Sequence, residues 1–290
     1  GGSSASENKL LRRALDEYFD FFSRIEFGGW RSIVSKSTAA SVSYEHKDQI
    51  QAEINDGISM LTYFGHGSSN VLDVDIGEPS ALSNSGKYPI FYFNGCVLGN
   101  TFSTGSLCEK YLFEPQKGAI AWLAGTSVGL VSYLDDYTQD FHRAAFMEHY
   151  GKSIGEWMAL TTQEYVNPGS LYNERQTTQF VLHGDPAIKL FDALQPDFSL
   201  EEDKITILED ALTVAEKDSL TIRLPALNYG KATRDTLEVS IVIQNSSGQK
   251  YVLPTHLKTP MSDYFTTGWF YETNNPLGVN LFYVGGFSGY

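Results

Sequence analysis

Two short apolar runs, each followed closely by a chemically reactive residue, constrain the fold of this chain more than any other feature. The first run spans residues 58–64 and is followed by Gly65 and His66, and the second spans residues 88–93, just before Cys96. Apolar runs of this length bounded by glycine are typical of buried strands. In an open α/β sheet, ligands bind outside the carboxyl ends of the strands. The pattern therefore predicts that the histidine and the cysteine lie at one edge of a sheet.

A cysteine and a histidine held together can perform nucleophilic chemistry. A thiol attacks efficiently only after it ionises, and a nearby imidazole can take its proton at neutral pH. Glycines beside both residues leave backbone N–H groups open, so the N–H groups of Gly67 and Cys96 could form an oxyanion hole. Each motif alone also fits a plain turn or a buried small residue, and that alternative stays open.

The two motifs together resemble a known family. The chain contains Phe64-Gly65-His66-Gly67-Ser68, then Asn94-Gly95-Cys96, the apolar stretch 118–123 and the closing stretch 182–190. Together these four stretches are similar to the gingipain family of clan CD cysteine peptidases, peptidase family C25. The resemblance covers roughly residues 48–190. It is closer to surface-associated peptidases of Bacteroidetes, including sortase-like members of the type IX secretion system, than to the gingipains themselves.

The resemblance implies that Cys96 is the nucleophile and His66 the general base and acid. Gingipain-like enzymes place the carboxylate that orients the histidine upstream, and we expect that segment to be cut away or not alignable. The first domain is accordingly expected to be N-terminally truncated. Asp73 and Asp75, in the acidic loop after His66, are candidates for the orienting role, although a solvated loop is the favoured interpretation.

The loop that follows the third apolar stretch is a candidate pocket wall. The resemblance nominates Thr126, Ser127 and Tyr133, while an ordinary capped helix start explains the same residues equally well. Members of the family often cleave after Arg or Lys, which requires an acidic group in the pocket. Asp135 and Asp136 could supply it, but acids are also common at exposed helix starts.

Composition and charge limit the kinds of partner that this chain can bind. A net charge of −14 and a pI near 4.8 argue against nucleic acid as a partner. No apolar run is long enough to span a membrane. The expected partners are a polypeptide substrate and surface or secretion-system components, and the expected location is secreted, periplasmic or at the cell surface. No cofactor is required, although the resemblance allows structural calcium.

The remaining cysteine and histidines are interpreted as structural. Cys108 lies in an amphipathic stretch and is predicted to be a buried free thiol. His142 and His149 are too far apart for a metal-binding pair on a helix, so no metal site is predicted. His183 precedes Gly184-Asp185-Pro186, which favours a turn.

A change of pattern after Pro196 divides the chain. Residues 1–195 are predicted to form a caspase- and gingipain-like α/β domain, with an open, mostly parallel sheet flanked by helices. Residues 196–290 alternate apolar and polar positions between turn signals, which predicts an all-β immunoglobulin-like sandwich that acts as a support or spacer.

Two functions remain. The first is a cysteine endopeptidase, or a sortase-like transpeptidase that passes the acyl group to an amine. The alternative is a catalytically silent surface or adhesion protein that keeps the peptidase fold, since fold alone does not guarantee function.

Overall fold

The computed structural model describes residues 2–22, 31–37, 40–100, 102–165 and 169–200, together with separate short stretches between residues 202 and 284. The chain divides into two compact units. The first is built mainly from residues 2–22 and 31–192, and Ala193 begins the main part of the second.

The first unit combines helices with a mixed sheet, and its elements follow one another in an alternating order. They are α1 (Ala5–Phe22), α2 (Lys47–Asp56), β1 (Met60–Phe64), β2 (Gly67–Ser68), β3 (Val71–Leu72), a 3-10 turn (Pro79–Ala81), β4 (Ile90–Asn94), α3 (Leu107–Phe113), β5 (Ala121–Gly125), α4 (Val131–Arg143), a π-helical turn (Ala144–Glu148), α5 (Ile154–Tyr165), α6 (Leu171–Gln179) and β6 (Phe180–His183).

The central sheet has the order β1-β4-β5-β6. The first three strands are parallel, and β6 adds to the edge of β5 in the antiparallel direction. Parallel strands need crossover connections, and α3 supplies one between β4 and β5. The predicted open, mostly parallel sheet is therefore confirmed.

Strand β4 is buried along its whole length because both faces of the sheet are covered. Phe91 and Phe93 belong to a core cluster with residues of α2 and α3, such as Ile54 and Tyr111. Tyr92 points to the opposite face, where its hydroxyl bonds Thr138 of α4. A strand alternates its side chains between faces, so one apolar run serves two helical layers.

Helix α1, predicted from the apolar spacing of residues 8–22, is confirmed and begins slightly earlier. Its buried side chains Leu11, Ala14 and Tyr18 form a cluster with Phe64 of β1 and Leu134 of α4. This packing sets the first turn of α1 near the carboxyl end of β1.

The predicted helix over residues 135–150 has a more complex form. It is α4 followed by the π turn, after which the backbone of His149 leaves the helix. No helix among the described residues is both long and apolar enough to cross a membrane.

In the second unit the described elements are all strands. They are β7 (Phe198–Leu200), β8 (Thr206–Ile207), β9 (Leu220–Asn228), β10 (Thr236–Leu237), β11 (Ile241–Gln244), β12 (Lys250–Leu253), β13 (Thr259–Pro260) and β14 (Val279–Val284). Strand β9 pairs with β14 in parallel and with β7 and β8 in antiparallel fashion, β11 pairs with β12, and β10 with β13. The predicted turn residues 229–230 and 245–246 lie outside the described residues, and the immunoglobulin-like sandwich stays a prediction.

Candidate active site

The two motif-bearing strands end side by side. Phe64, the last residue of β1, lies opposite Asn94, the last residue of β4. Just beyond this pair the Gly65 N–H donates to the Asn94 carbonyl at 3.2 Å. A β-carbon at Gly95 would lie 2.7 Å from the Gly65 carbonyl oxygen, which is closer than such atoms pack. The two chains thus leave the sheet in near contact, and the segments carrying His66 and Cys96 start from the same level.

The turn that carries Cys96 is held in an uncommon conformation. Val97 has a φ of 56°, a left-handed value that is unfavourable for a β-branched residue. Its N–H donates to the Ser127 carbonyl at 3.0 Å, and the Gly99 N–H donates to the Gly125 carbonyl at 2.9 Å. Among the residues that the structure describes, none accepts a hydrogen bond from the Cys96 N–H.

The Cys96 side chain is half-buried, and its Sγ lies 3.9 Å from the Gly129 carbonyl oxygen, to which the thiol can donate. Gly129 precedes α4, so the thiol faces the helical layer that also holds α1. The nucleophile predicted from sequence is thus partly open to solvent at a strand end.

The segment after His66 contacts the turn that carries Cys96. After His66 the chain forms a short hairpin in which Gly67 lies opposite Leu72. A β-carbon at Gly67 would lie 2.9 Å from a methyl of Leu98, two residues after Cys96. The Ser69 hydroxyl also reaches the Val97 carbonyl at 3.4 Å. Both residues nominated for the oxyanion hole therefore lie on segments in contact with each other.

The imidazole of His66 has a carboxylate partner that the sequence motifs did not indicate. His66 Nε2 lies 3.0 Å from Oε1 of Glu7, in the first turn of α1. The other Glu7 oxygen accepts hydrogen bonds from the Ser3 N–H and hydroxyl, both at 2.6 Å. These Ser3 bonds, with a smaller contribution from His66, lower the pKa of Glu7 to about 2.

The charge of Glu7 decides the tautomer of His66. A carboxylate with a pKa of about 2 is ionised at neutral pH and can only accept hydrogen bonds. The Nε2 atom of His66 therefore carries the proton, which leaves Nδ1 as the basic nitrogen of the neutral ring. No hydrogen bond joins the thiol and the imidazole among the described residues. The thiol faces the Gly129 carbonyl, and His66 Nε2 faces Glu7.

Asp73 and Asp75, the two candidates for orienting the imidazole, have other described partners, and the orienting role stays a prediction. The Asp73 carboxylate lies in the interior, 3.6 Å from Lys36 Nζ, where both side chains are at most 5% exposed. It also accepts a hydrogen bond from the Tyr63 hydroxyl. Asp75 accepts from the Gly77 N–H at 3.0 Å within its own loop. The Asp73 backbone N–H donates to the His66 carbonyl at 3.1 Å.

The three candidate pocket residues are not equivalent. Ser127 is exposed, and its carbonyl contacts the cysteine turn through the Val97 N–H. Thr126 instead directs both its N–H and its hydroxyl to the Gln179 carbonyl, at 2.8 and 3.1 Å. The Tyr133 ring stacks on Tyr172 of α6, with 5.2 Å between centroids. Only Ser127 therefore has a described contact with the turn of the candidate nucleophile.

The two acidic residues at the start of α4 differ in whether their carboxylates already have a hydrogen-bond partner among the described residues. Asp135 accepts a hydrogen bond from the Tyr18 hydroxyl at 2.6 Å, so it is engaged with α1. Asp136 is exposed, and its pKa is raised by partial burial and by the charges of Asp135 and Asp140.

A second cysteine and a second His-Gly pair line a separate cleft. Cys108 is 4% exposed, and burial raises the pKa of its thiol to about 12. Both cysteines are free, as predicted. His183 Nε2 lies 3.1 Å from the Gly99 carbonyl. The cleft has a volume of about 490 Å³, and its lining residues are Asn100, Ser106, Cys108, Glu109, Leu112, Phe113, Ile120, His183 and Gly184.

Sequence reasoning missed Glu7 because nothing local marks it. An acidic residue in the first turn of a helix is common, since it stabilises the helix macrodipole. Its role depends on the docking of α1 against Phe64, which brings residue 7 to a histidine 59 positions later.

Comparisons with known proteins found similar solved structures and one matching family model. No curated protein matches the chain. One similar solved structure is described as a complex of Porphyromonas gingivalis RgpB pro- and mature domains, at 18% identity, covering 67% of this chain and 45% of that one, with a TM-score of 0.47. Another is described as the Arg-specific cysteine proteinase gingipain R, at 17% identity, covering 89% of this chain and 56% of that one, with a TM-score of 0.47. The chain thus spans about half the length of these two structures.

The family itself is identified from the sequence. The model of peptidase family C25 matches residues 3–191, which is well over half of the 290 residues. The matched segment contains the whole sheet of the first unit and also includes Glu7, His66 and Cys96. The chain belongs to peptidase family C25, a family of cysteine-type peptidases.

Proposed function

We propose that the chain is a cysteine endopeptidase in which Cys96 is the nucleophile and His66 the general base and acid. One observation carries the proposal. Neighbouring parallel strands end at the paired residues Phe64 and Asn94, and the segments beyond them bear the imidazole and the thiol. An ionised Glu7 at His66 Nε2 adds a carboxylate that can orient the imidazole and stabilise its charged form.

In the first half of the reaction, the Cys96 sulfur attacks the carbonyl carbon of the scissile peptide bond. His66 Nδ1 accepts the thiol proton, and Glu7 stabilises the resulting imidazolium through Nε2. The imidazolium then protonates the leaving amine as the C–N bond breaks. The product is a thioester between Cys96 and the acyl part of the substrate.

In the second half, His66 takes a proton from water as the water oxygen attacks the thioester. The C–S bond then breaks, the imidazolium returns the proton to the Cys96 sulfur, and the acyl part leaves as a carboxylic acid. In a sortase-like reaction an amine takes the place of water. The negatively charged oxygen of each tetrahedral intermediate would be bound by the N–H groups of Cys96 and Gly67. The Cys96 N–H supports this assignment, since no described residue accepts a hydrogen bond from it.

The substrate is a polypeptide, and cleavage after Arg or Lys is the finer proposal. Exposed Asp136 is better placed than Asp135 to meet a cationic side chain, since Asp135 already accepts from Tyr18. We further propose a secreted, periplasmic or surface location with surface or secretion-system partners, as in the peptidases that the motifs resemble. The reaction uses only protein groups and requires no cofactor.

A covalent probe tests the proposal. The protein is incubated with acyloxymethyl-ketone peptides bearing Arg, Lys or an apolar residue, and mass spectrometry locates the label. We expect labelling of Cys96 that is lost in Cys96→Ala and in His66→Ala. Cys108→Ala and His183→Ala are matched controls, because they remove a cysteine and a histidine of the other cleft.

The outcomes separate the two functions. Preferential reaction of the Arg or Lys probes would support the specificity proposal, and a preference for the apolar probe would contradict it. If a folded protein reacts with these probes no faster than with a simple thiol reagent, the peptidase proposal fails and the silent surface protein is supported instead.

A further inference from the structure

A group of metal-ligating side chains lies outside the candidate active site. Glu148 ends the π turn, His149 follows it, and Glu164 lies in the last turn of α5. One carboxylate oxygen from each glutamate and one ring nitrogen of the histidine all lie within 4.8 Å of one another. Among the described residues this is the only group of three or more such side chains at that spacing.

The backbone that presents these groups is anchored at His149. The His149 N–H donates to the Ala144 carbonyl at 2.9 Å, which closes the π turn. The His149 carbonyl accepts from the indole N–H of Trp157 at 2.9 Å, and Trp157 is almost fully buried. π-helical turns occur frequently at functional sites, where the extra residue redirects side chains.

The spacing suits a small divalent ion. His149 Nε2 and Glu164 Oε1 are 3.4 Å apart, which is longer than a typical direct N–H···O hydrogen bond of about 2.9 Å. Zinc ligands lie about 2.0–2.2 Å from the ion, and in a tetrahedral site neighbouring ligand atoms are then roughly 3.3–3.6 Å apart. The separation of His149 Nε2 and Glu164 Oε1 fits that geometry without movement of either side chain, and one Glu148 oxygen lies within 4.8 Å of both ligands.

The local charge also favours a divalent cation. Asp140, Glu148 and Glu164 are three carboxylates near one guanidinium, since Arg143 pairs with both Asp140 and Glu148. The pKa of Asp140 is raised, first by burial and further by the charges of Glu164 and Glu148 despite Arg143. The three carboxylates and the one guanidinium leave two negative charges in excess, which a doubly charged ion would compensate.

We propose that Glu148, His149 and Glu164 bind a divalent transition-metal ion of the zinc class, with water as a fourth ligand. An imidazole with two carboxylates suits zinc. Calcium takes six to eight oxygen ligands, so a group containing a histidine does not favour it. The bound ion ties the end of the π turn to the end of α5, and its role is structural.

The test uses the whole chain in a Cys96→Ala background, so that zinc does not bind the candidate catalytic thiol. Zinc chloride is titrated at pH 7 by calorimetry, and the melting temperature is measured with zinc, calcium or a chelator present. We expect one ion per chain and a rise in melting temperature of about 5 °C at saturation. Cobalt in the same site is expected to show the visible absorption of tetrahedral coordination.

Three variants decide where the ion binds. His149→Ala and Glu164→Gln are expected to lose both the binding and the stabilisation, and Glu164 is exposed enough for its replacement to fold normally. His46→Ala is the matched control, since His46 also lies 3.4 Å from a glutamate, Glu45, but has no third ligand within reach among the described residues. The proposal is overturned if zinc does not bind, if binding persists in both ligand variants, or if calcium gives the same His149-dependent stabilisation as zinc.

Discussion

Two regions of the first unit contain the same reactive residue types and differ in almost everything else. The edge defined by Cys96 and His66 lies at the carboxyl ends of β1 and β4, whereas Cys108 and His183 line the cleft beside α3 and β6. Each region has a cysteine, a histidine and a glycine after the histidine. At the edge, the histidine contacts a carboxylate and 56% of its side chain is exposed. In the cleft, the cysteine is buried and the histidine contacts a carbonyl. Position in the fold, rather than residue type, separates a candidate nucleophile from a packing residue.

The largest contrast is expected in thiol alkylation. With a pKa of about 12, only about one Cys108 in ten thousand is ionised at pH 8, and the side chain is also buried. We expect iodoacetamide to modify Cys96 first and Cys108 roughly a thousandfold more slowly than an ordinary exposed thiol, as followed by peptide mass spectrometry. Comparable alkylation rates at Cys96 and Cys108 would contradict the claim that position in the fold makes only Cys96 reactive.

A third histidine, His142, is expected to make the stability of the fold depend on pH. His142 is 1% exposed, and burial lowers its pKa from 6.5 to about 4. The unfolded state therefore binds more protons between these values, so the folded state loses stability as pH falls from about 6.5 to 4. The loss reaches about 3 kcal/mol.

Denaturant titrations at pH 7 and pH 4.5 measure this loss. His142→Phe keeps an aromatic ring against Tyr18, whose ring stacks on His142 at 5.1 Å, and removes the titrating group. The pH dependence of its unfolding free energy is expected to be flatter than that of the parent. If the unfolding free energy of His142→Phe depends on pH as strongly as that of the parent, other groups cause the loss of stability.

The close approach of the two strand ends is expected to tolerate no added β-carbon at residue 95. In Gly95→Ala the new atom would meet the Gly65 carbonyl oxygen at 2.7 Å, and we expect a loss of about 2 kcal/mol in unfolding free energy. Gly125→Ala is the control at the end of β5, because its nearest neighbours would be 3.8 Å away. Equal stability of the two variants, measured by chemical denaturation, would mean that the edge is less tightly packed than the structure indicates.

The smallest effect is expected from the carboxylate at His66. Glu7→Gln keeps an acceptor for Nε2–H but removes the charge that stabilises the imidazolium, so probe labelling of Cys96 should slow by at least about tenfold. Glu109→Gln, which removes a carboxylate from the cleft, is expected to leave the rate unchanged. An unchanged labelling rate in Glu7→Gln would mean that Glu7 stabilises the start of α1 and does not assist His66.

Much of the fold could be predicted because its signals are local. The spacing of Leu11 and Tyr18 predicted α1, and the continuous apolar runs predicted β1 and β4. The π turn after α4 was not predicted, since its sequence carries the same apolar spacing as an ordinary helix. The antiparallel direction of β6 was likewise absent from the prediction, because strand direction depends on which neighbour the strand meets.

The sequence by itself determined which residues can be reactive and that two of them follow buried strands. Those facts depend on residue type and on neighbours within a few positions, which a linear pattern records. Only the tertiary structure decided that Glu7 contacts His66, that Asp73 is occupied by Lys36 and Tyr63, and that Glu148 and His149 meet Glu164. Each of these contacts joins separate elements, so it depends on how helices pack against the sheet and against one another, and no local pattern encodes it.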